Sequence, residues 1–164
     1  MTTYSTIDRT RRDNITVEVY GEARGNPGLA GIGAVVKDRR GRTLAHISRY
    51  LGACTPARAE YEALVAGLSA ASSRQATGLV LTTSHEAPWR QLTGRTAARS
   101  PETADLFVEA RRLMAELGDA TLEFVPESEV ETAERLAAVA IDSRGRRTAI
   151  DYQPATGIDS TGSE

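Results

Sequence analysis

Residues 15–37 read ITVEVYGEARGNPGLAGIGAVVK, and this stretch decides the fold. Its first six residues alternate between apolar and polar side chains, which is the period of a half-buried strand. The segment from Gly21 to Gly31 carries four glycines and one proline, a composition typical of turns. Strand character resumes at Ile32. The stretch therefore predicts two antiparallel strands joined by a glycine-rich turn.

The chain on either side extends this hairpin into a mixed sheet. The turn DRRGR at 38–42 leads to a third strand, TLAHISRYL at 43–51. An alanine-rich helix follows, with Thr55 as its cap and Pro56 at its first position. The next predicted elements are a strand in LVLTT (79–83), a short helix in HEAPWRQL (85–92), a helix from Ser100 and a strand in TLEFV (121–125). The order βββαβααβα predicts one α/β domain.

The last predicted helix follows Ser128 and Glu131, which have the spacing of a capping box, and runs through Ile141. We expect residues 1–13 to be a flexible lead-in and residues 14–142 to form the domain. Residues 143–164 are rich in Gly, Ser, Thr and charge, so we expect a disordered tail.

Composition excludes several classes of protein. The 164 residues suffice for one domain, and twenty basic against twenty-two acidic residues give a net charge of −2. This balance argues against a chain whose main task is binding phosphate backbones. Cys54 is the sole cysteine, which rules out an intrachain disulfide and fits a cytoplasmic location. We expect neither a signal peptide nor a membrane span.

Four ordered blocks of sequence resemble the ribonuclease HI family. They are the Gly21–Gly33 stretch, Ala59-Glu60-Tyr61-Glu62-Ala63-Leu64, Gln91-Leu92-x-Gly94, and Val125-Pro126 with Ala133 and Leu136-Ala137. They lie within residues 14–142. The resemblance implies an RNase H-like fold: a five-stranded mixed sheet of order 3-2-1-4-5, its first three strands antiparallel, with helices on both sides.

The resemblance also implies a two-metal nuclease in which four carboxylates, Asp-Glu-Asp-Asp, hold two Mg²⁺ ions. Those four positions fall on Tyr20, Glu60, Ser84 and Glu134. Glu60 and Glu134 are thus the remnants of the implied catalytic set. A tyrosine hydroxyl carries no charge at pH 7, and a serine is at best a neutral ligand. We expect standard two-metal hydrolysis to be absent or strongly impaired.

The residues that would contact nucleic acid are also reduced. The family's Thr-Asn-Asn is here Thr55-Pro56-Ala57, and its arginine after Val-Pro is Glu127. The resemblance leaves Arg24, Gly25, Asn26 and Thr55 as candidate nucleic-acid-binding residues.

Several readings of the site stay open. Glu60 is either a surviving metal ligand or a carboxylate paired with an arginine, and Tyr20 can fill the former cavity with its hydroxyl bonded to Glu60 or Glu134. Glu60, Glu134 and Glu22 are the candidate metal ligands. A rebuilt site for one Mn²⁺ ion would combine them with the two residues after Ser84, His85 and Glu86. The alternative is that these are solvated surface groups, with His85 a surface histidine.

The first functional prediction is a pseudoenzyme without a tightly bound cofactor, which binds a partner protein or, weakly, an RNA-containing duplex such as an RNA–DNA hybrid. The second is a working ribonuclease H that cleaves the RNA strand of RNA–DNA hybrids with Mg²⁺ or Mn²⁺. The third is a homodimer or larger assembly formed through the exposed edge of the three-stranded meander. None of the three involves a membrane.

Overall fold

The computed structural model describes residues 14–144. The predicted lead-in, residues 1–13, and the predicted tail from residue 145 onward lie outside the described residues. The strands are β1 (Asn14–Gly25), β2 (Gly28–Lys37), β3 (Thr43–Cys54), β4 (Gly78–Thr83) and β5 (Ala120–Phe124). The helices are α1 (Pro56–Ser73), α2 (Glu86–Leu92), α3 (Ala104–Leu117) and α4 (Glu131–Ser143).

The five strands form one mixed sheet of order β3-β2-β1-β4-β5. β1, β2 and β3 are antiparallel, whereas β1 pairs with β4, and β4 with β5, in parallel. The element order, the strand order and the mixed pairing are those predicted, so the α/β fold class is confirmed.

Helices cover the two faces of the sheet. On one face, α1 packs against β1 and β2 around buried side chains such as Val17, Val19, Leu64 and Leu81, with α3 beside it. On the other face, α4 lies across β1, β2 and β3 with its alanines inward. No helix within residues 14–144 is long and apolar enough to cross a membrane.

The first hairpin is longer than predicted, because several glycines assigned to its turn lie within strands. β1 continues to Gly25, which pairs directly with Gly28. A Cβ atom at Gly33 would lie 1.9 Å from the carbonyl oxygen of Ala133 in α4. Such a contact is sterically impossible, so glycine is needed here for close approach of helix and sheet rather than for a turn.

The start of α4 also differs from the prediction. Residues Glu127–Glu129 form a single 3₁₀ turn, and α4 begins at Glu131 after Val130. Val130 is fully buried, and no side chain caps the helix, so Ser128 is not a capping residue. At the other end α4 includes Ser143, with Arg144 in the left-handed conformation as its cap. The helix therefore extends into the predicted tail by one residue.

Candidate functional site

The parallel pairing of β1 and β4 brings three elements together at one end of the sheet. Val19 pairs with Thr83, so Tyr20 and Gly21 lie beside Ser84 and His85 just beyond the paired segment. α1 touches the same place, since a Cβ atom at Gly21 would lie 2.1 Å from the carbonyl oxygen of Ala59. Glu60 follows Ala59 in the chain. The predicted positions on β1, α1 and β4 are therefore neighbours.

His85 lies at the centre of this cluster and is not the surface histidine predicted. Its side chain is only 10% exposed. Nε2 accepts a hydrogen bond from the backbone N–H of Gly21 at 3.0 Å, and Nδ1 is 3.4 Å from Oε1 of Glu60. Because Nε2 accepts this hydrogen bond, it carries no hydrogen of its own. The imidazole is therefore neutral, with its hydrogen on Nδ1 and directed at Glu60. The partner of Glu60 is thus His85, not the predicted arginine.

Tyr20 closes the other side of the imidazole. The two ring centroids are 4.8 Å apart at 39°, a tilted stacking geometry. The Tyr20 hydroxyl donates to Oε1 of Glu127 at 3.1 Å, so the prediction that it bonds Glu60 or Glu134 is wrong. The charge of Glu127 in turn acts on Glu134. The chain of contacts runs from Glu60 through His85 and Tyr20 to these two carboxyl groups.

Burial sets the protonation of the central pair. It raises the pKa of the Glu60 carboxyl to about 7 and lowers the pKa of the His85 imidazole to about 4. Burial and the neighbouring charge of Glu127 raise the pKa of the Tyr20 phenol above its usual range. Partial burial and the same Glu127 charge raise the pKa of Glu134. At neutral pH the cluster thus holds a neutral imidazole and a neutral phenol.

Comparison with known proteins places this chain in a family. Residues 18–140 match the profile of the reverse transcriptase-like family. The RNase H domain at the N-terminus of Rv2228c from Mycobacterium tuberculosis is 34% identical, with a TM-score of 0.76 over 79% of this chain and 99% of that domain. The chain belongs to the ribonuclease HI family.

Two further solved structures support this assignment. RNase H1 from Halobacterium salinarum is 32% identical, with a TM-score of 0.76 over 79% of this chain and 98% of that one. LC11-RNase H1, isolated from compost and solved in complex with an RNA/DNA hybrid, is 30% identical with a TM-score of 0.75 over 79% and 98% of the two chains.

The match to full-length relatives is partial. The bifunctional protein Rv2228c of Mycobacterium tuberculosis is 34% identical over 142 residues, which are 86% of this chain and 39% of that protein. Ribonuclease HI of Halobacterium salinarum is 34% identical over 122 residues, 74% of this chain and 61% of that protein. The chain thus spans less than two thirds of the length of these relatives.

The side chains at the site do not fit the two metal ions that the ribonuclease HI resemblance implies. No three His, Cys, Asp or Glu side chains between residues 14 and 144 converge in a metal-binding arrangement. Glu60 is largely buried against His85, and Glu134 lies next to Glu127, whose charge acts on it. Glu22 forms an ion pair with Arg24 at 3.4 Å. A hard divalent cation needs several free anionic oxygens, and these carboxylates are committed elsewhere.

The predicted nucleic-acid-binding residues lie close to carboxylates. Arg24 contacts Asp142 at 2.5 Å as well as Glu22. The Thr55 hydroxyl accepts from the Arg58 backbone N–H at 3.2 Å as the cap of α1, and donates to Glu102. Gly25 and Asn26 lie at the exposed tip of the first hairpin. Phosphate would therefore have to compete with carboxylates already paired to Arg24.

Sequence reasoning named His85 only as a possible ligand of a rebuilt metal site and Glu127 only as a replacement for the family's arginine, and it missed the contacts that the two make in the cluster. Both carried a signal. His85 is two residues beyond the end of β4, which is parallel to β1, so it lies beside the residue after Tyr20. Glu127 replaces the family's arginine in the segment that leads to α4, and that segment passes beside Tyr20.

Proposed function

We propose that this chain is a non-catalytic member of the ribonuclease HI family that works as a binding domain. One observation carries the proposal: the imidazole of His85 is held between the Gly21 N–H and Glu60, with the ring of Tyr20 against it. Two of the four positions where the resemblance implies metal-binding carboxylates are the uncharged Tyr20 and Ser84, and the retained Glu60 contacts His85. Hydrolysis by two metals has no ligand set to act through.

The electrostatics of the surrounding surface support the same proposal. Glu22, Glu127, Glu134 and Asp142 lie around the site, and Arg24 is the cation paired within this group. An RNA–DNA hybrid presents phosphates that such a surface repels, so we expect hybrid binding to be weak. A protein partner is the better-supported ligand.

The decisive experiment is restoration of the carboxylates. A labelled RNA–DNA hybrid is incubated with the parent protein, and with Tyr20→Asp/Ser84→Asp/Glu134→Asp, in Mg²⁺ and in Mn²⁺. A version of the triple variant that also carries His85→Ser removes the imidazole. We expect no cleavage by the parent and cleavage by at least the version without the imidazole.

The controls separate the outcomes. Adding Glu60→Gln to an active restored variant should abolish cleavage, because it removes the one ligand of the implied set that the chain retains unchanged. Steady cleavage by the parent that Glu60→Gln abolishes would refute the proposal and establish the ribonuclease reading. Parent cleavage unaffected by Glu60→Gln would indicate a contaminating nuclease. Calorimetric titration of the parent with Mn²⁺ should give no binding heat.

A further inference from the structure

An apolar groove lies between β3 and α1, away from the Tyr20–His85 cluster. α1 covers β1 and β2, which leaves the α1-facing side of β3 partly uncovered. The floor and walls are formed by Ala45 and Ile47 of β3 and by Val65, Ala66 and Ala70 of α1. The cavity volume is about 580 Å³, enough for several small aliphatic side chains. We call it the β3–α1 groove.

β3 adds a hydrogen-bonding edge to this groove. It is the outermost strand on its side of the sheet and extends from Thr43 to Cys54. Alternate backbone N–H and C=O groups of an edge strand point away from the sheet and can pair with another extended chain. A strand added here would direct every second side chain toward the groove.

The polar rim of the groove is cationic. Arg49 and Arg74 border it, together with Ser69 and Ser73 of α1. Arg49 is 46% exposed and only 3.8 Å from Glu62, and Arg74 donates to the carbonyl oxygen of Leu44 at 3.3 Å. Within residues 14–144 no carboxylate lines the groove. Its charge is thus opposite to that of the Glu127 face, and it complements an acidic ligand.

The same charges disfavour a second copy as the occupant. Two β3 strands paired about a twofold axis would bring both copies of Arg49 to one interface, and the groove lining within residues 14–144 supplies no carboxylate there. Like charges placed opposite each other on paired strands are destabilising. A peptide with apolar residues at alternate positions and acidic ends satisfies the edge, the groove and the rim together.

We propose that β3 and the β3–α1 groove bind an extended segment of a partner protein, in which apolar side chains alternate and acidic residues flank them. This surface is separate from the Tyr20–His85 cluster, so the proposal stands whether or not the chain hydrolyses RNA.

The test uses a fluorescein-labelled peptide, Glu-Glu-Val-Thr-Val-Thr-Val-Thr-Glu-Glu, and its counterpart with four lysines in place of the glutamates. Fluorescence anisotropy with the full chain should show saturable binding of the acidic peptide and at least about tenfold weaker binding of the lysine peptide. Hydrogen exchange should show β3 amides protected on binding. No binding of the acidic peptide at millimolar protein, or equal binding of both peptides, would overturn the proposal.

Variants locate the binding. Ser69→Trp places a large ring at the rim from an exposed helical position, and Ala57→Trp makes the same change at an exposed position of α1 outside the groove. We expect Ser69→Trp to weaken peptide binding at least about tenfold, and Ala57→Trp to leave it unchanged. Arg49→Glu should weaken binding and Arg49→Lys should retain most of it. Equal affinities for parent and Ser69→Trp would refute the location.

A second copy as occupant gives a different result. Sedimentation would then show a dimer of the parent chain that Ser69→Trp dissociates, and the acidic peptide would compete with dimer formation. That outcome would overturn the partner peptide in favour of self-association. Circular dichroism of each variant, matching that of the parent, shows that a lost signal reflects the groove and not unfolding.

Discussion

The Glu60–His85 pair predicts a specific pH dependence of stability, because burial raises the pKa of Glu60 and lowers the pKa of His85. The pKa of His85 is about 4 in the folded chain against 6.5 ordinarily, so the unfolded chain takes up the proton first as pH falls. Its contribution to stability is present above pH 6.5 and is lost by about pH 4. The loss amounts to about 3 kcal/mol, since one pKa difference of 1 corresponds to about 1.4 kcal/mol.

Glu60 acts in the opposite direction. Its pKa is about 7 in the folded chain against 4.5 ordinarily, so the folded chain takes up the proton first. Stability therefore rises as pH falls from about 7 to 4.5, again by about 3 kcal/mol. Both side chains are largely shielded, at 10% and 26% exposed, so solvent screening removes only part of these amounts. In the parent protein the two contributions nearly cancel between pH 6.5 and 4.5.

Two variants separate the contributions. Glu60→Gln retains the size of the side chain and leaves only the histidine to titrate, so the free energy of unfolding should fall between pH 7 and 4 relative to the parent. His85→Gln leaves only the carboxyl group, so that free energy should rise over the same interval relative to the parent. Urea denaturation at half-unit pH steps measures both, and carboxylates elsewhere cancel in the difference. Curves parallel to the parent's for both variants would refute the buried pair.

Three further changes test the packing around the cluster and the fold. Tyr20→Phe removes the hydroxyl bonded to Glu127 and should lower the free energy of unfolding by about 1 kcal/mol in urea denaturation, because a single exposed hydrogen bond contributes little. Gly33→Ala places a Cβ atom 1.9 Å from the Ala133 carbonyl oxygen and should cost about 3 kcal/mol or more in the same assay, or prevent folding. Gly41→Ala meets no atom within 4 Å and has φ +81°, so it should cost only about 1 kcal/mol. Equal effects of the two glycine substitutions would contradict the α4 contact.

Much of the fold could be predicted because its signals are local. The alternation of ITVEVY, the change of period after Thr55 and the glycine-rich hairpin each depend on neighbouring residues, and the element order follows from them. The glycines of the hairpin were harder to interpret. Gly31 falls in the predicted turn and Gly33 in the predicted second strand, yet glycine is needed at both because α4, a hundred residues later, lies on β2. A contact between distant segments leaves no local pattern.

The site was only partly predictable, for the same physical reason. The resemblance identified the positions of Tyr20, Glu60, Ser84 and Glu134 in the sequence. It did not identify the side chain that each one contacts, because those contacts depend on the strand register and on where α4 begins. The role of His85 follows from the parallel pairing of Val19 with Thr83. The contact of Tyr20 with Glu127 depends on the 3₁₀ turn at Glu127–Glu129. The predicted capping box at Ser128 places the start of α4 wrongly, and the position of Glu127 beside Tyr20 could not be predicted from it.

Loss of the metal ligands and loss of hybrid binding are linked through charge. In a two-metal site the cations neutralise the carboxylates, which lets a polyanion approach. Here the charges around the cluster, those of Glu22, Glu127 and Asp142 among them, lie at the surface, and Arg24 pairs with Glu22 and Asp142. Restoring the ligands alone should therefore recover metal binding while hybrid binding stays weak.

The contribution of Glu127 to weak hybrid binding can be measured by adding Glu127→Arg to the restored variant that lacks His85. This change replaces a charge that repels phosphate with one that attracts it. We expect the hybrid to bind about tenfold more tightly at about 50 mM salt, with a smaller gain at about 200 mM, since counterion release makes phosphate contacts salt-dependent. Glu116→Arg on the exposed side of α3 makes the same change in net charge away from the site and should alter binding little. Equal gains from the two substitutions would mean that net charge governs hybrid binding. A gain confined to Glu127→Arg would assign the weak binding to the carboxylate that holds Tyr20 in place.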